Sequence, residues 1–127
     1  MGLILDTNAL SALAVADPDI AIHFRSSAVH GVPAIVLGEY RYGLRRSIRA
    51  PQLAQWLDRL EQRMEILDIT RSTAVYYAEL RDELRALGRP IPENDVWIAA
   101  LTREHGLSLL SRDAHFDLVP DLVRQGW

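Results

Sequence analysis

The sequence predicts a three-layer α/β/α fold around a mostly parallel sheet of about five strands. Three observations predict it. Short, nearly unbroken apolar runs at 2–5, 33–36, 65–68 and 107–111 read as strands covered on both faces. The stretches between them carry helix caps and helical apolar spacing. The two kinds alternate along the chain, which calls for parallel strands joined by crossover helices.

Each element has a local reason. Gly2-Leu3-Ile4-Leu5 is a strand stopped by Asp6. Asp6, Thr7 and Asn8 all cap free N–H groups, so a short helix starts there and runs to about Val15. Asp17 at N-cap and Pro18 at N1 open a second helix, running to about His30 and closed by Gly31. The strand 33–36 leads into a helix over 37–49, weakened by Gly38 and Gly43. Ala50-Pro51 opens the next helix, where Leu53, Leu57, Leu60 and Met64 form one apolar stripe. After the strand 65–68, Thr70 caps a long helix to Leu87, which Gly88 closes. Residues 88–92 are a loop. Glu93, Asn94 and Asp95 begin a helix, at the positive end that suits acids, and it ends at His105-Gly106. The strand 107–111 is followed by a loop over 112–116, and Leu122-Val123 offers a last edge strand.

Composition bounds the function. The chain has 127 residues and 14.3 kDa, the size of one domain over 1–127. With 49% apolar and 24% charged residues it is an ordinary globule. The absence of cysteine excludes disulfides, thiol catalysis and cysteine-based zinc sites. All 14 basic residues are Arg. Without Lys there is no P-loop and no Schiff-base chemistry. A net charge of −3 argues against a generic polyanion binder but leaves room for a local basic rim. No apolar run is long enough to span a bilayer, and the N-terminus lacks the basic region of a signal peptide, so a cytoplasmic protein without a membrane partner is expected.

Four acids stand where such a sheet binds ligands, outside the carboxyl ends of its strands. Asp6 ends the first strand, Glu39 lies on the first turns after 33–36, Asp95 is in the first turn of its helix, and Asp113 follows 107–111. Taken singly each has a plainer reading: N-cap, solvated helix acid, first-turn acid, turn residue. Convergence of all four requires their strands to be neighbours. Two carboxylates about 4 Å apart repel by roughly 4 kcal/mol at an effective dielectric near 20. Such a cluster therefore keeps protons or holds a cation. Oxygen ligands without Cys select Mg²⁺ or Mn²⁺ over Zn²⁺, and Mg²⁺ pairs naturally with substrate phosphate. The implied chemistry is metal-assisted phosphodiester hydrolysis.

These residues resemble the PIN-domain nucleases, and within them the VapC-type toxins of bacterial toxin–antitoxin pairs. The resemblance spans the whole chain and keeps the family order: Leu5-Asp6-Thr7-Asn8, then 36–43 around Glu39, then 94–100 around Asp95, then 110–116 around Asp113. It implies a five-stranded parallel sheet between helices and a Mg²⁺- or Mn²⁺-dependent endoribonuclease. Asp6, Glu39, Asp95 and Asp113 would be its catalytic and metal-holding acids, with Asp6 and Asp95 as direct ligands. Thr7, Asn8 and Ser111 match supporting polar positions. Asp117 is a candidate fifth acid, less regular in the family, and reads more readily as a loop residue. The resemblance also implies a cognate antitoxin whose C-terminal segment covers the active-site cleft, and a toxin homodimer.

Arg41, Arg45 and Arg49 fall on one face of the expected helix 37–49. Arg41, Arg45, Arg112 and His115 are candidate RNA contacts, each with a plainer reading as surface or loop residue. Trp97 and Trp56 read as packing residues. Two other functions stay open: a catalytically silent PIN-like module that binds RNA or protein, and a different metal phosphoesterase. The missing Lys and the absence of Asp-x-Asp after the first strand count against the latter.

Overall fold

The apolar run at the start of the sequence becomes β1 (Leu3–Leu5), buried at all three positions. Its neighbours in the sheet are not its neighbours in sequence alone. The computed structural model describes residues 2–25 and 30–127. It has a five-stranded sheet in the order β3-β2-β1-β4-β5, with β2 at His30–Pro33, β3 at Glu65–Leu67, β4 at Ser108–Leu110 and β5 at Arg124–Gln125. Every pairing is parallel. The chain first steps from β1 out to β3, then returns to place β4 on the other side of β1. Right-handed crossovers in opposite directions put their helices on opposite faces of the sheet. The reversal leaves a crevice at the carboxyl ends of β1 and β4. Their register sets Leu5 opposite Leu110.

Among the described residues six helices complete the layers: α1 (Thr7–Ala14), α2 (Pro18–Arg25), α3 (Ala34–Leu44), α4 (Ala50–Glu61), α5 (Arg71–Ala86) and α6 (Glu93–His105). The expected start signals are in place. Asp6 caps α1, and Thr70 caps α5 through a reciprocal capping box with Thr73. Gly106, at φ +63°, ends α6 in the left-handed conformation that glycine adopts without penalty. The core joins Leu3, Ile4 and Leu5 to Leu10, Ile20, Leu57, Leu80, Ile98, Leu101, Leu109 and Phe116, all essentially inaccessible.

Several expected boundaries are corrected. The second strand is 30–33, not 33–36, and α3 begins at Ala34. Pro33 has φ −61° and ψ 140° and donates no N–H, so it ends the ladder and starts the helix; the apolar residues 34–36 then fit a helix as well as a strand. Glu39 consequently sits on the second turn of α3. The helix expected to reach His30 ends at Arg25 in the described residues, and 26–29 of that expectation lie outside them. The helix expected over 37–49 stops at Leu44. Turns at 45–49 replace it, with Ser47 N–H bonded to Leu44 O at 2.9 Å and Ser47 Oγ accepting the Arg49 N–H at 3.1 Å. A serine that offers the backbone a local partner competes with the helix in this way. Arg41, Arg45 and Arg49 therefore share no helical face. The last strand is 124–125 rather than 122–123, and a 3₁₀ turn over 114–118 begins in the expected loop and runs two residues past it.

Candidate active site

The β1–β4 ladder extends one residue beyond β1, where the Asp6 N–H donates to Leu110 O at the end of β4 at 3.1 Å. That fixes the Asp6 backbone at the crevice, and its side chain is only 5% exposed. The two carboxylate oxygens have separate tasks. Oδ1 accepts the Thr7 N–H at 2.8 Å and caps α1. Oδ2 accepts the Ser111 hydroxyl at 2.7 Å and the Asn8 amide at 3.4 Å. The plain helix-cap reading of Asp6 is met, and the cap leaves its carboxylate at the crevice.

Ser111, fully buried just after β4, connects two acids. It donates to Asp6 while its Oγ accepts the Asp113 N–H at 2.9 Å. Asn8 closes the network: its amide reaches Ser111 Oγ at 3.4 Å, and its Oδ1 accepts the Arg112 N–H at 3.1 Å. Thr7 donates to Glu39 Oε1 at 3.3 Å and so links α1 to α3. The supporting residues named from sequence thus all touch the acids or the loop that carries Asp113.

Asp95, in the first turn of α6, meets Asp113 across a histidine. His115 Nε2 lies 2.5 Å from Asp95 Oδ2, and its Nδ1 lies 2.8 Å from Asp113 Oδ1. A neutral imidazole donates from one nitrogen only, so both contacts are donor bonds only for the imidazolium. The ring lies against Phe116, with centroids 5.0 Å apart, and the buried Phe116 seats the 3₁₀ turn that presents it. His115, a candidate RNA contact from sequence, is therefore placed as a bridge between acids. No local spacing announces this, because the bridge joins α6 to a turn 20 residues later.

Burial, with charge repulsion added to it, marks the cluster. Burial pushes the Asp6 carboxyl above its ordinary range, against the lowering effect of the Ser111 and Thr7 bonds, and Asp113 adds to the rise. Burial also raises Glu39, with Asp6 and Asp95 contributing. Asp95 is raised by burial first, then by Asp6 and Asp113, while His115 pulls it down. Asp6, Glu39 and Asp95 thus each feel at least one other acid of the set, and Asp113 acts on Asp6 and Asp95. Ligand atoms of Asp95, Asp113 and His115 lie within 4.8 Å of each other, a spacing that fits one divalent cation. Hard carboxylate oxygens suit Mg²⁺ or Mn²⁺.

The remaining candidates fall elsewhere. Arg41 pairs with Asp58 at 3.0 Å and Glu61 at 2.8 Å. Arg112 lies 3.5 Å from Asp17 and stacks over Trp127 at 4.5 Å. Arg45 is exposed at the end of α3. Asp117 is held by Arg124 through two contacts of 2.8 Å, which keep its carboxyl below the usual range. It is a partner of β5, not a member of the acidic cluster. Arg124 also donates to Ser111 O at 3.0 Å, so β5 steadies the loop between Ser111 and Asp113. Sequence reasoning missed this clamp, since the pairing is set by strand placement. Trp97 stacks on Tyr77 at 3.9 Å, the expected packing role.

Ser111→Ala should lower metal affinity by about 10–100-fold, because it releases the orientation of both Asp6 and Asp113. It should also cost about 1–3 kcal/mol by leaving a buried Asp6 oxygen without its short donor. Calorimetric Mn²⁺ titration and thermal unfolding measure the two effects separately.

A family model described as PIN domain matches residues 3–122. Among curated proteins, Ribonuclease VapC2 of Rickettsia felis is 33% identical over 97 residues, covering 76% of this chain and 72% of that protein. Ribonuclease VapC4 of Mycobacterium tuberculosis is 35% identical over 94 residues, with 72% of each covered. Among solved structures, VapBC2 of Rickettsia felis bound to a DNA fragment from its promoter superposes with a TM-score of 0.88 at 29% identity, covering 100% of this chain and 99% of that one. VapBC-1 of nontypeable Haemophilus influenzae gives 0.84 at 26% identity, covering 100% and 98%.

Proposed function

This chain belongs to the PIN domain family, among the VapC ribonucleases, and on that premise we propose that it is the endoribonuclease toxin of a type II toxin–antitoxin pair, a single domain over 1–127 that hydrolyses RNA phosphodiester bonds with Mg²⁺ or Mn²⁺. The observation that carries the reading is the crevice itself. Asp6, Glu39, Asp95 and Asp113 converge where the strand order reverses, and burial and mutual repulsion raise three of them. Such a cluster is poised for a cation.

Asp6, Asp95 and Asp113 would hold the metal, with Ser111 and Asn8 fixing the Asp6 carboxylate, Ser111 the Asp113 backbone, and His115 the carboxylates of Asp95 and Asp113. A bound divalent cation would polarise the scissile phosphate and lower the pKa of the attacking water. Glu39 suits the proton-accepting role: its raised pKa brings it closer to neutral pH, and only one of its oxygens is committed, to Thr7. Asp113 is less free, since His115 engages it. In-line attack would leave a 5′-phosphate and a 3′-hydroxyl, with no protein nucleophile.

A cognate antitoxin is the expected partner, with a segment lying over the cleft. A groove lined by Thr7, Ser11, Val15, Glu39, Tyr40 and Leu53 leads from the acids onto α1 and α3, and its apolar Val15 is well exposed. A homodimer and a cytoplasmic location accompany this reading. Among the described residues no helix is long and apolar enough to cross a membrane.

The test is cleavage of total cellular RNA by antitoxin-free protein, with Mg²⁺ or Mn²⁺ and with chelator. Discrete fragments that vanish with chelator support the reading. Intact RNA after incubation with folded, metal-loaded protein would make the chain a silent binding module instead.

A further inference from the structure

Several arginines are already engaged. Arg41 and Arg112 face carboxylates, and Arg103 and Arg124 are paired to Glu83 and Asp117. An RNA strand held at an acidic crevice in a chain of net charge −3 needs unpaired cations close by. A groove of about 410 Å³ between the end of α5 and the start of α6 supplies them. Its walls include Arg81, Arg85, Arg89, Ile91, Glu93 and Val96.

The fold builds this groove deliberately from local rules. Arg81 and Arg85 are four residues apart on α5 and share a face. Gly88, at φ +64°, then ends the helix in a left-handed turn. The Gly88 N–H bonds Arg85 O at 3.1 Å, and the Arg89 N–H bonds Leu84 O at 2.9 Å. This paired closure folds the chain back and brings Arg89 beside Arg85. Arg81 is spent on Glu93, which also accepts from Tyr77. Their charges cancel. Among the described residues Arg85 and Arg89 have no acid partner and are exposed, so the groove keeps two free guanidinium groups.

Its far wall is the first turn of α6, which also carries Asp95. Glu93 and Val96 line the groove, and Asp95 lies between them in sequence on a helix about 10–12 Å across. A strand leaving the acids around this first turn would meet the groove. We propose that the groove between α5 and α6 is a backbone subsite for the RNA substrate, in which Arg85 and Arg89 contact phosphates flanking the scissile bond. The proposal rests on the ribonuclease reading. The forked guanidinium matches phosphate geometry, and the contact carries no base specificity.

The experiment measures binding of a fluorescein-labelled, mixed-sequence single-stranded RNA of about 20 nucleotides, in chelator so that nothing is cut, across a salt series. Counterion release gives a slope of about 0.7 per phosphate contact on a single strand. Arg85→Ala/Arg89→Ala should therefore reduce the slope by about 1.4 and weaken binding roughly 25-fold near 0.1 M salt. Arg85→Lys/Arg89→Lys should keep the slope, and Mn²⁺ affinity and the thermal midpoint should match the parent in both. An unchanged slope in the alanine variant, with the parent binding salt-dependently, overturns the subsite alone. An unchanged slope with lost antitoxin co-purification assigns the groove to a protein partner and also overturns it. A parent that neither binds nor cleaves RNA overturns the ribonuclease reading and the subsite with it.

Discussion

Asp95→Asn is expected to lower RNA cleavage by about 10³-fold or more while leaving the thermal midpoint unchanged or higher. The substitution is nearly isosteric and keeps an oxygen for His115. It removes one charge from a cluster whose members repel. Asp95 is raised by burial and by Asp6 and Asp113, so its ionised form is held at a cost in the metal-free protein. Removing that charge should relieve the strain and at the same time remove a metal-holding oxygen. Stability and activity move in opposite directions at sites of this kind. Asp6→Asn is a poorer probe. Asp6 also caps α1 and accepts from buried Ser111, so its loss mixes folding with function. Single-turnover cleavage measured beside thermal unfolding decides the matter. Full activity in the folded Asp95 variant would remove Asp95 from the site.

Divalent metal should stabilise the protein strongly near neutral pH and hardly at all in acid. A ligand at about 100 times its dissociation constant adds about 2.7 kcal/mol. For a chain of this length that is on the order of 10 °C in the thermal midpoint. The pH dependence follows from the raised carboxyls of Asp6, Glu39 and Asp95. Between the ordinary carboxylate range and their raised folded values, the native protein binds more protons than the unfolded chain. Their contribution is complete below the unfolded pKa and is lost as pH rises through the folded values. The metal-free protein should therefore lose stability as pH climbs through that window. Metal requires the ionised carboxylates, so its stabilisation should grow over the same window. Asp117, held low by Arg124, has the opposite sign and loses its contribution as pH falls. Thermal scans with Mn²⁺ and with chelator, from mildly acidic to neutral pH, give both curves. Parallel curves with no metal-dependent gap would contradict a metal site built from these acids.

The sheet was legible because buried parallel strands leave short apolar runs, and Asp6, Thr70 and Gly106 mark helix ends by their own chemistry. The β2–α3 boundary was not, because residues 34–36 suit either element until Pro33 is placed. The grouping of Arg41, Arg45 and Arg49 failed for a related reason: the turn at Ser47 interrupts a helix that periodicity alone would continue. In the site, the acids could be named from their positions at strand and helix ends, and the neighbourhood of β1 and β4 brings Asp6 and Asp113 together. The bridge made by His115 and the removal of Asp117 by Arg124 depend on the path of the 3₁₀ turn and of β5. Neither path has a periodic signature. Arg85 and Arg89 illustrate the middle case. Both residues and Gly88 are plain in the sequence, but their convergence needs the left-handed turn.

The most direct measurement is the anomalous difference density of crystals of the antitoxin-free protein soaked in Mn²⁺. A peak within bonding distance of the Asp6, Asp95 and Asp113 carboxylates, lost in Asp95→Asn crystals, is the predicted result. A protein that cleaves RNA with Mn²⁺ but binds the ion away from this crevice would contradict the central claim that these acids form the metal centre.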